Sequence, residues 1–240
     1  MSVLLPVLRI DRSLSHVPAT RLGCKRLYLN HLCKSITHCH GCGVSFITVR
    51  CGRITFMCRT GYVPFIGNWR SNLLRNVHGL VLEVGAGSGP NLSHYPIDTC
   101  VIATEFNEKT IGLAKPRSAT HIRLASADIE HLAFPDNTFD AVTATLVFCS
   151  VERPIVGFHE VRRVLKPGGQ LHLIEHVRSH HRWLARWQDK LNARWNVWAE
   201  GCNLNRDTEA NLRAAQFEIE SLRINYLGLV KTMIASKPTI

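Results

Sequence analysis

The chain has 240 residues, 45% hydrophobic and 20% charged, which suits one sizeable folded core with an appendage and excludes a disordered chain. No apolar run approaches the roughly 18 residues that a membrane-spanning helix needs. The net charge of +11 is lopsided: residues 1–70 hold ten Lys/Arg against the single Asp11, or +9, leaving +2 for the remainder, too little for the electrostatic footprint of a nucleic-acid-binding surface.

Taken in chain order, residues 1–65 read as a basic, Cys-rich extension, expected to be poorly ordered, ahead of a domain at 66–240. Six of the nine cysteines fall in the extension: Cys24, Cys33, Cys39, Cys42, Cys51 and Cys58. A zinc site there would use the Cys39-x-x-Cys42 pair with two of Cys33, Cys51, Cys58, His31, His38 or His40. Strong zinc sites show two short-spaced pairs, and this stretch has one, so no metal is assigned. An Arg-rich, acid-poor composition also fits an organelle presequence. The odd cysteine total and the lack of a convincing signal peptide favour a reducing, cytoplasmic compartment. A rival reading makes the chain a basic Cys/His-rich nucleic-acid-binding protein that carries the rest as scaffold.

From residue 79 the pattern becomes regular. LVLEVGA (80–86) reads as a buried strand running into a glycine turn, and CVIATEF (100–106) as a second strand ending at an acid. HIRLASAD (121–128) ends at Asp128, and FDAVTATLVFCS (139–150) begins with a fourth strand. PIVGFHEVRRVLK (154–166) reads as a helix with Pro154 in its first turn and a one-sided apolar face, stopped by KPGG before the strand QLHLIEHV (170–177). A helix at 207–215 and strands at 217–225 and 227–236 close the chain. Apolar strands alternating with helices predict an α/β, doubly wound, mostly parallel sheet, with an antiparallel finish. Ligands of such sheets sit beyond the carboxyl ends of the strands.

The glycine turn narrows the ligand. The dinucleotide fingerprint G-x-G-x-x-G needs a third glycine where this chain has Pro90, and no Gly-Lys-Ser/Thr follows for a phosphate loop. Glu105, 20 residues after Gly85, has the spacing of a ribose-binding carboxylate.

VLEVGAGSG, TEFNEKT, ADIEHLAFPDNTFDAV and EVRRVLKPGG, in that order, together resemble the class I S-adenosylmethionine-dependent methyltransferases over about residues 79 to 177. EHVRSHHRWLARWQDKLNARWNVWAEGCNLNRDTEANLRAAQF resembles the thiol methyltransferase branch and its bacterial relatives. The resemblance implies a seven-stranded sheet with a reversed last strand, S-adenosylmethionine as methyl donor and a small-molecule acceptor that is lipophilic or bears a thiol. Quinone and phospholipid acceptors within the same fold are the alternative. It also implies site roles: Glu83, Gly85, Gly87 and Gly89 at the methionine end of the cofactor, Glu105 on the ribose, Asp128 and Ile129 on the adenine, and Thr145 and Leu146 where the fourth strand meets the cofactor. Asn91 opens the first helix after the loop.

Methyl transfer from a sulfonium needs a base only when the acceptor is protonated, and thiols, with unperturbed pKa about 8.5, sit at that boundary. His176, after the fifth strand, is the candidate base. Trp183, Trp187, Leu191, Trp195 and Trp198 recur at helical spacing beside Arg182, Arg186, Lys190 and Arg194. That stripe is a docking face, a lid over an apolar acceptor, or a surface for acidic lipid, which would make the protein membrane-associated.

Overall fold

The computed structural model describes residues 66–114 and 120–239. The expectations for residues 1–65, the zinc and presequence alternatives included, lie outside the described residues. Seven strands form one sheet: β1 (Leu80–Val84), β2 (Cys100–Glu105), β3 (Ile122–Ser126), β4 (Phe139–Thr145), β5 (Leu165–His176), β6 (Glu218–Asn225) and β7 (Val230–Ser236). Their order across the sheet is β3-β2-β1-β4-β5-β7-β6. The β1–β5 pairings are parallel, whereas β7 runs antiparallel to both β5 and β6. The mostly parallel sheet with an antiparallel finish is therefore present. The chain reverses its direction of travel across the sheet between β1 and β4, and that reversal opens a crevice at their carboxyl ends.

Helices α1 (Ile66–Leu74), α2 (Glu108–Ile111), α3 (Pro154–Val164), α4 (Arg182–Trp198) and α5 (Thr208–Ala214) accompany the strands. Two apolar layers result because successive strand residues point to opposite faces. Leu82 and Val84 of β1 join Val142, Phe158, Val161, Leu171 and Met233 in one layer. Val81, one residue out of phase, joins Leu73, Leu74, Leu92, Tyr95, Val101 and Ile174 in the other. Pro154 starts α3 as its composition predicts, and Phe158 stacks on Phe148 with ring centroids 3.7 Å apart.

One boundary differs from the sequence reading. KPGG does not separate helix from strand: β5 already begins at Leu165, which pairs with Phe139, and the register shifts between Phe139 and Ala141. Gly168, at φ 75°, carries the irregularity inside the strand, where few residues other than glycine adopt that backbone.

Helix α4 also differs. Its buried residues are Ala185 and Gln188, while Trp183 and Trp187 are each 58% exposed, Leu191 44% and Trp198 42%. Of the aromatic stripe only Trp195 packs inward, so the helix does not dock by that face as a whole. It meets loops whose peptide groups need both an acceptor and donors, and an indole, a donor only, cannot accept from a peptide amide. Gln188 does: its Oε1 accepts from the Ser179 amide (2.8 Å) and its Nε2 donates to the Val177 and Leu204 carbonyls (2.9 and 2.6 Å).

Candidate functional site

A cleft of about 400 Å³ opens at the carboxyl ends of β1 to β4. Its wall includes Val84 and Gly85 after β1, Glu105 and Phe106 after β2, Asp128, Ile129 and Glu130 after β3, and Leu146 and Val147 after β4. Of the residues selected from sequence, Gly85, Glu105, Asp128, Ile129 and Leu146 reach this wall. Glu83, Gly87, Gly89, Asn91, Thr145 and His176 do not line it; several of them brace it from behind.

Gly85 has φ 64°, and a Cβ there would stand 2.4 Å from Val147 Cγ2, so both backbone conformation and space demand glycine. Gly87 has φ 57° with no atom within 4 Å of a Cβ position. Its amide donates to Glu105 Oε2 at 3.0 Å, and the Asn107 amide donates to Oε1 at 3.1 Å. The glycine turn thus aims the carboxylate that ends β2. Asp128 is held in the same manner: Oδ1 accepts from the Glu130 amide at 2.9 Å, and Oδ2 lies 3.3 Å from His131 Nδ1.

Behind the turn, Glu83 is 1% exposed and accepts from Asn91 Nδ2 at 2.9 Å. Asn91 Nδ2 also donates to Thr145 Oγ1 at 3.0 Å, tying β1 to β4. Asn91 precedes a single 3-10 turn (Leu92–His94) without capping it by its side chain; the amide points inward instead. Desolvation raises the Glu83 pKa to about 7, opposed by hydrogen bonds from Asn91 and Tyr95 and by the nearby Arg70 charge.

The β4 loop has its own brace. Leu146 adopts φ 59°, costly for a non-glycine residue, with its amide donating to the Ile174 carbonyl at 2.7 Å. The next three amides, of Val147, Phe148 and Cys149, all donate to the Glu175 carboxylate at 2.9, 2.9 and 3.1 Å. Glu175 is fully buried, and desolvation raises its pKa to about 7. Sequence reasoning passed over this residue for its neighbour; an acid at the end of a buried strand was the available signal. Phe106, 74% exposed at the cleft edge, was passed over too, although an exposed aromatic directly after a strand-end acid marks a ligand wall.

His176 faces away from the cleft lining: its Nδ1 lies 3.4 Å from Cys202 Sγ. Burial lowers its pKa, but the Cys202 hydrogen bond and charge together with the Glu175 charge outweigh that, and the net shift is upward. Cys149 and Cys202 are both buried and free. The Cys149 thiol donates toward Cys202, which pushes the Cys149 pKa up and the Cys202 pKa down.

Four strand ends thus converge on one cleft with four carboxylates, Glu105, Asp128, Glu130 and Glu152, and apolar walls. Residues 82–173 match the family described as "Methyltransferase domain". The matched segment runs from within β1 through most of β5, so every residue lining the cleft falls inside it. The thiol S-methyltransferase TMT1B of Homo sapiens is 38% identical over 146 residues, covering 57% of this chain and 59% of that protein. The demethylmenaquinone methyltransferase of Clavibacter sepedonicus is 32% identical, covering 49% of this chain and 52% of that protein. This chain therefore matches less than two thirds of the length of either relative. A putative methyltransferase from Bacillus halodurans superposes with a TM-score of 0.60 over 72% of this chain and 99% of its own, at 18% identity, which shows the shared fold.

Proposed function

We propose that the chain is an S-adenosylmethionine-dependent methyltransferase that passes the methyl group directly to a small acceptor. The supporting observation is the convergence of Gly85, Glu105, Asp128 with Ile129, and Leu146 on a single cleft within the methyltransferase domain. The residues fit the cofactor: a glycine whose Cβ would close the wall at β1, a carboxylate aimed by two backbone amides, and an acid beside an isoleucine at β3. Glu105 would accept from the ribose hydroxyls, Asp128 from an adenine amine, and Ile129 would cover the ring. The bound cofactor supplies a methyl group already activated on a sulfonium. The protein then has to bring the acceptor into line and keep water out, work done by rigid walls such as the braced Leu146–Cys149 turn. Among the described residues the cleft wall supplies no histidine, so no base is assigned there.

The acceptor class rests on the relatives, whose names cite a thiol and a quinone, and on the apolar face of α4. Beside that face lies a groove of about 800 Å³ lined by Leu191, Trp195, Val197, Trp198 and Leu204. A finer reading follows from the exposed Trp183, Trp187 and Leu191 next to Arg182, Arg186 and Lys190: α4 rests on acidic lipid, where lipophilic acceptors concentrate. Among the described residues no helix is long and apolar enough to cross a membrane. The nucleic-acid alternative gains no observation.

Calorimetric titration with S-adenosylmethionine tests the proposal, and wild-type protein that does not bind it refutes the reading. Glu105→Ala should weaken binding by roughly 1.5–3 kcal/mol through loss of charged hydrogen bonds. Transfer of labelled methyl to an apolar thiol, a quinone precursor or a phospholipid would then identify the acceptor.

A further inference from the structure

Cys149, in the turn after β4, His176, the last residue of β5, and Cys202, in the loop after α4, are 27 and 26 residues apart in sequence. The fold brings the two sulfurs and one imidazole nitrogen of these residues within 4.8 Å of one another. Cys202 Sγ and His176 Nδ1 are 3.4 Å apart. Around a tetrahedral zinc ion, bonds of about 2.3 Å to sulfur and 2.0–2.1 Å to nitrogen separate neighbouring ligand atoms by about 3.5–3.8 Å. The observed cluster, within 4.8 Å, needs a contraction of about 1.3 Å at most, within the reach of side-chain rotation.

The surroundings hold the three ligands in place. The Asn203 amide and its Nδ2 both donate to the Cys149 carbonyl, at 2.8 and 3.1 Å, pinning the Cys202 loop to the Cys149 turn. Asn192 and Asn196 of α4 both donate to Asn203 Oδ1, at 3.0 and 3.2 Å. Glu175 grips the Cys149 amide from the other side. Trp195 packs against the cluster of Cys149, Ala199 and Cys202, and its indole N–H is a donor toward the Cys202 sulfur, suited to an anionic thiolate.

We propose that Cys149, His176 and Cys202 form a binding site for a zinc-class cation, joining the β4 turn, the end of β5 and the loop after α4. Two thiolates and an imidazole are the donor set that such a soft-to-borderline cation prefers. Binding forms two metal–sulfur bonds and one metal–nitrogen bond and releases the two thiol protons to water. Three protein ligands leave a fourth position for a water molecule. Ligation through Nδ1 places the imidazole proton on Nε2, so a loaded site would make His176 a hydrogen-bond donor rather than a base. The inference is independent of methyl transfer, since it concerns metal content.

The full chain, expressed with zinc and purified under nitrogen, tests it by elemental analysis against the triple variant Cys149→Ser/His176→Gln/Cys202→Ser. The wild type should hold about one equivalent of zinc more than the variant; any metal held by the cysteines before residue 60 cancels in the comparison. Replacement by cobalt(II) should give near-ultraviolet sulfur-to-metal absorption that Cys202→Ser alone lowers, a measurement that serves if the triple variant does not fold. Equal zinc in wild type and variant, or cobalt absorption unchanged by Cys202→Ser, overturns the proposal. So does a Cys149–Cys202 disulfide found by mass spectrometry in the protein purified under nitrogen.

Discussion

Gly85 and Gly87 share a left-handed backbone but not the same surroundings, so one substitution separates conformation from space. Gly87→Ala should cost only the backbone term, about 1 kcal/mol, because nothing stands near its Cβ position. Gly85→Ala adds a 2.4 Å clash with Val147 and should cost at least about 2 kcal/mol more while narrowing the cleft. Urea midpoints for the two variants check this ranking, and equal midpoints would remove the packing argument. Glu83 offers a second test, with a definite sign. Its folded pKa of about 7 lies above the ordinary 4.5, so the folded state binds the proton more tightly than the unfolded chain does. Below about pH 4.5 the group is protonated in both states; as pH rises through 7 the buried charge must be borne and stability falls by about 3 kcal/mol. Glu83→Gln should flatten part of that decline between pH 5 and 8, with Glu175 supplying the rest because its shift has the same direction. An unchanged slope in chemical denaturation would contradict the burial argument. At this scale the strand-end residues Glu105 and Asp128 were legible because local spacing places them. Asn91 was not, since its partners Glu83 and Thr145 lie 8 and 54 residues away.

Individual elements were legible where their pattern is local and misread where a neighbouring element decides. Pro154 and the apolar spacing announce α3, and the apolar run with its terminal acid announces β2. The face by which α4 docks was not legible, because the loops it meets present peptide groups and select Gln188 over tryptophan. The β4 turn is the clearest case of an element held by another: three consecutive amides converge on Glu175 of β5. Glu175→Ala would leave those amides without an acceptor in a buried site, at about 3 kcal/mol net, even after the buried acid itself is removed. For a domain of this size that is a fall of roughly 6–12 °C in Tm, measured by calorimetry. The turn also sets Leu146 at the cleft wall, so affinity for S-adenosylmethionine should fall along with Tm. A variant as stable as the wild type would show that the turn does not depend on this carboxylate.

On the scale of the whole molecule, the doubly wound, mostly parallel class of the sheet was legible because apolar strands alternating with helices are a local pattern, whereas the order of the strands is set by contacts between distant segments. The clusters formed by folding are not local, and Cys149, His176 and Cys202 share no short spacing by which they could be recognised. The same holds for the location of α4, which Gln188 fastens to Val177 and Ser179 just beyond the end of β5, the edge of the sheet that bears the cleft. The exposed apolar side of α4 and the cleft therefore belong to one end of the protein, so a lipophilic acceptor leaving a membrane would meet the domain at its working edge. If α4 rests on acidic lipid, the protein should sediment with vesicles rich in anionic phospholipid and release as salt rises. The basic residues 1–70 add attraction of their own, so the comparison that decides is wild type against Trp183→Ala/Trp187→Ala. Both side chains are more than half exposed, so the double variant should keep its Tm. Losing two indoles from the lipid contact should weaken vesicle binding by about tenfold per tryptophan. Vesicle binding equal in the two proteins would assign any lipid attraction to charge alone and leave the aromatic face of α4 without a membrane role.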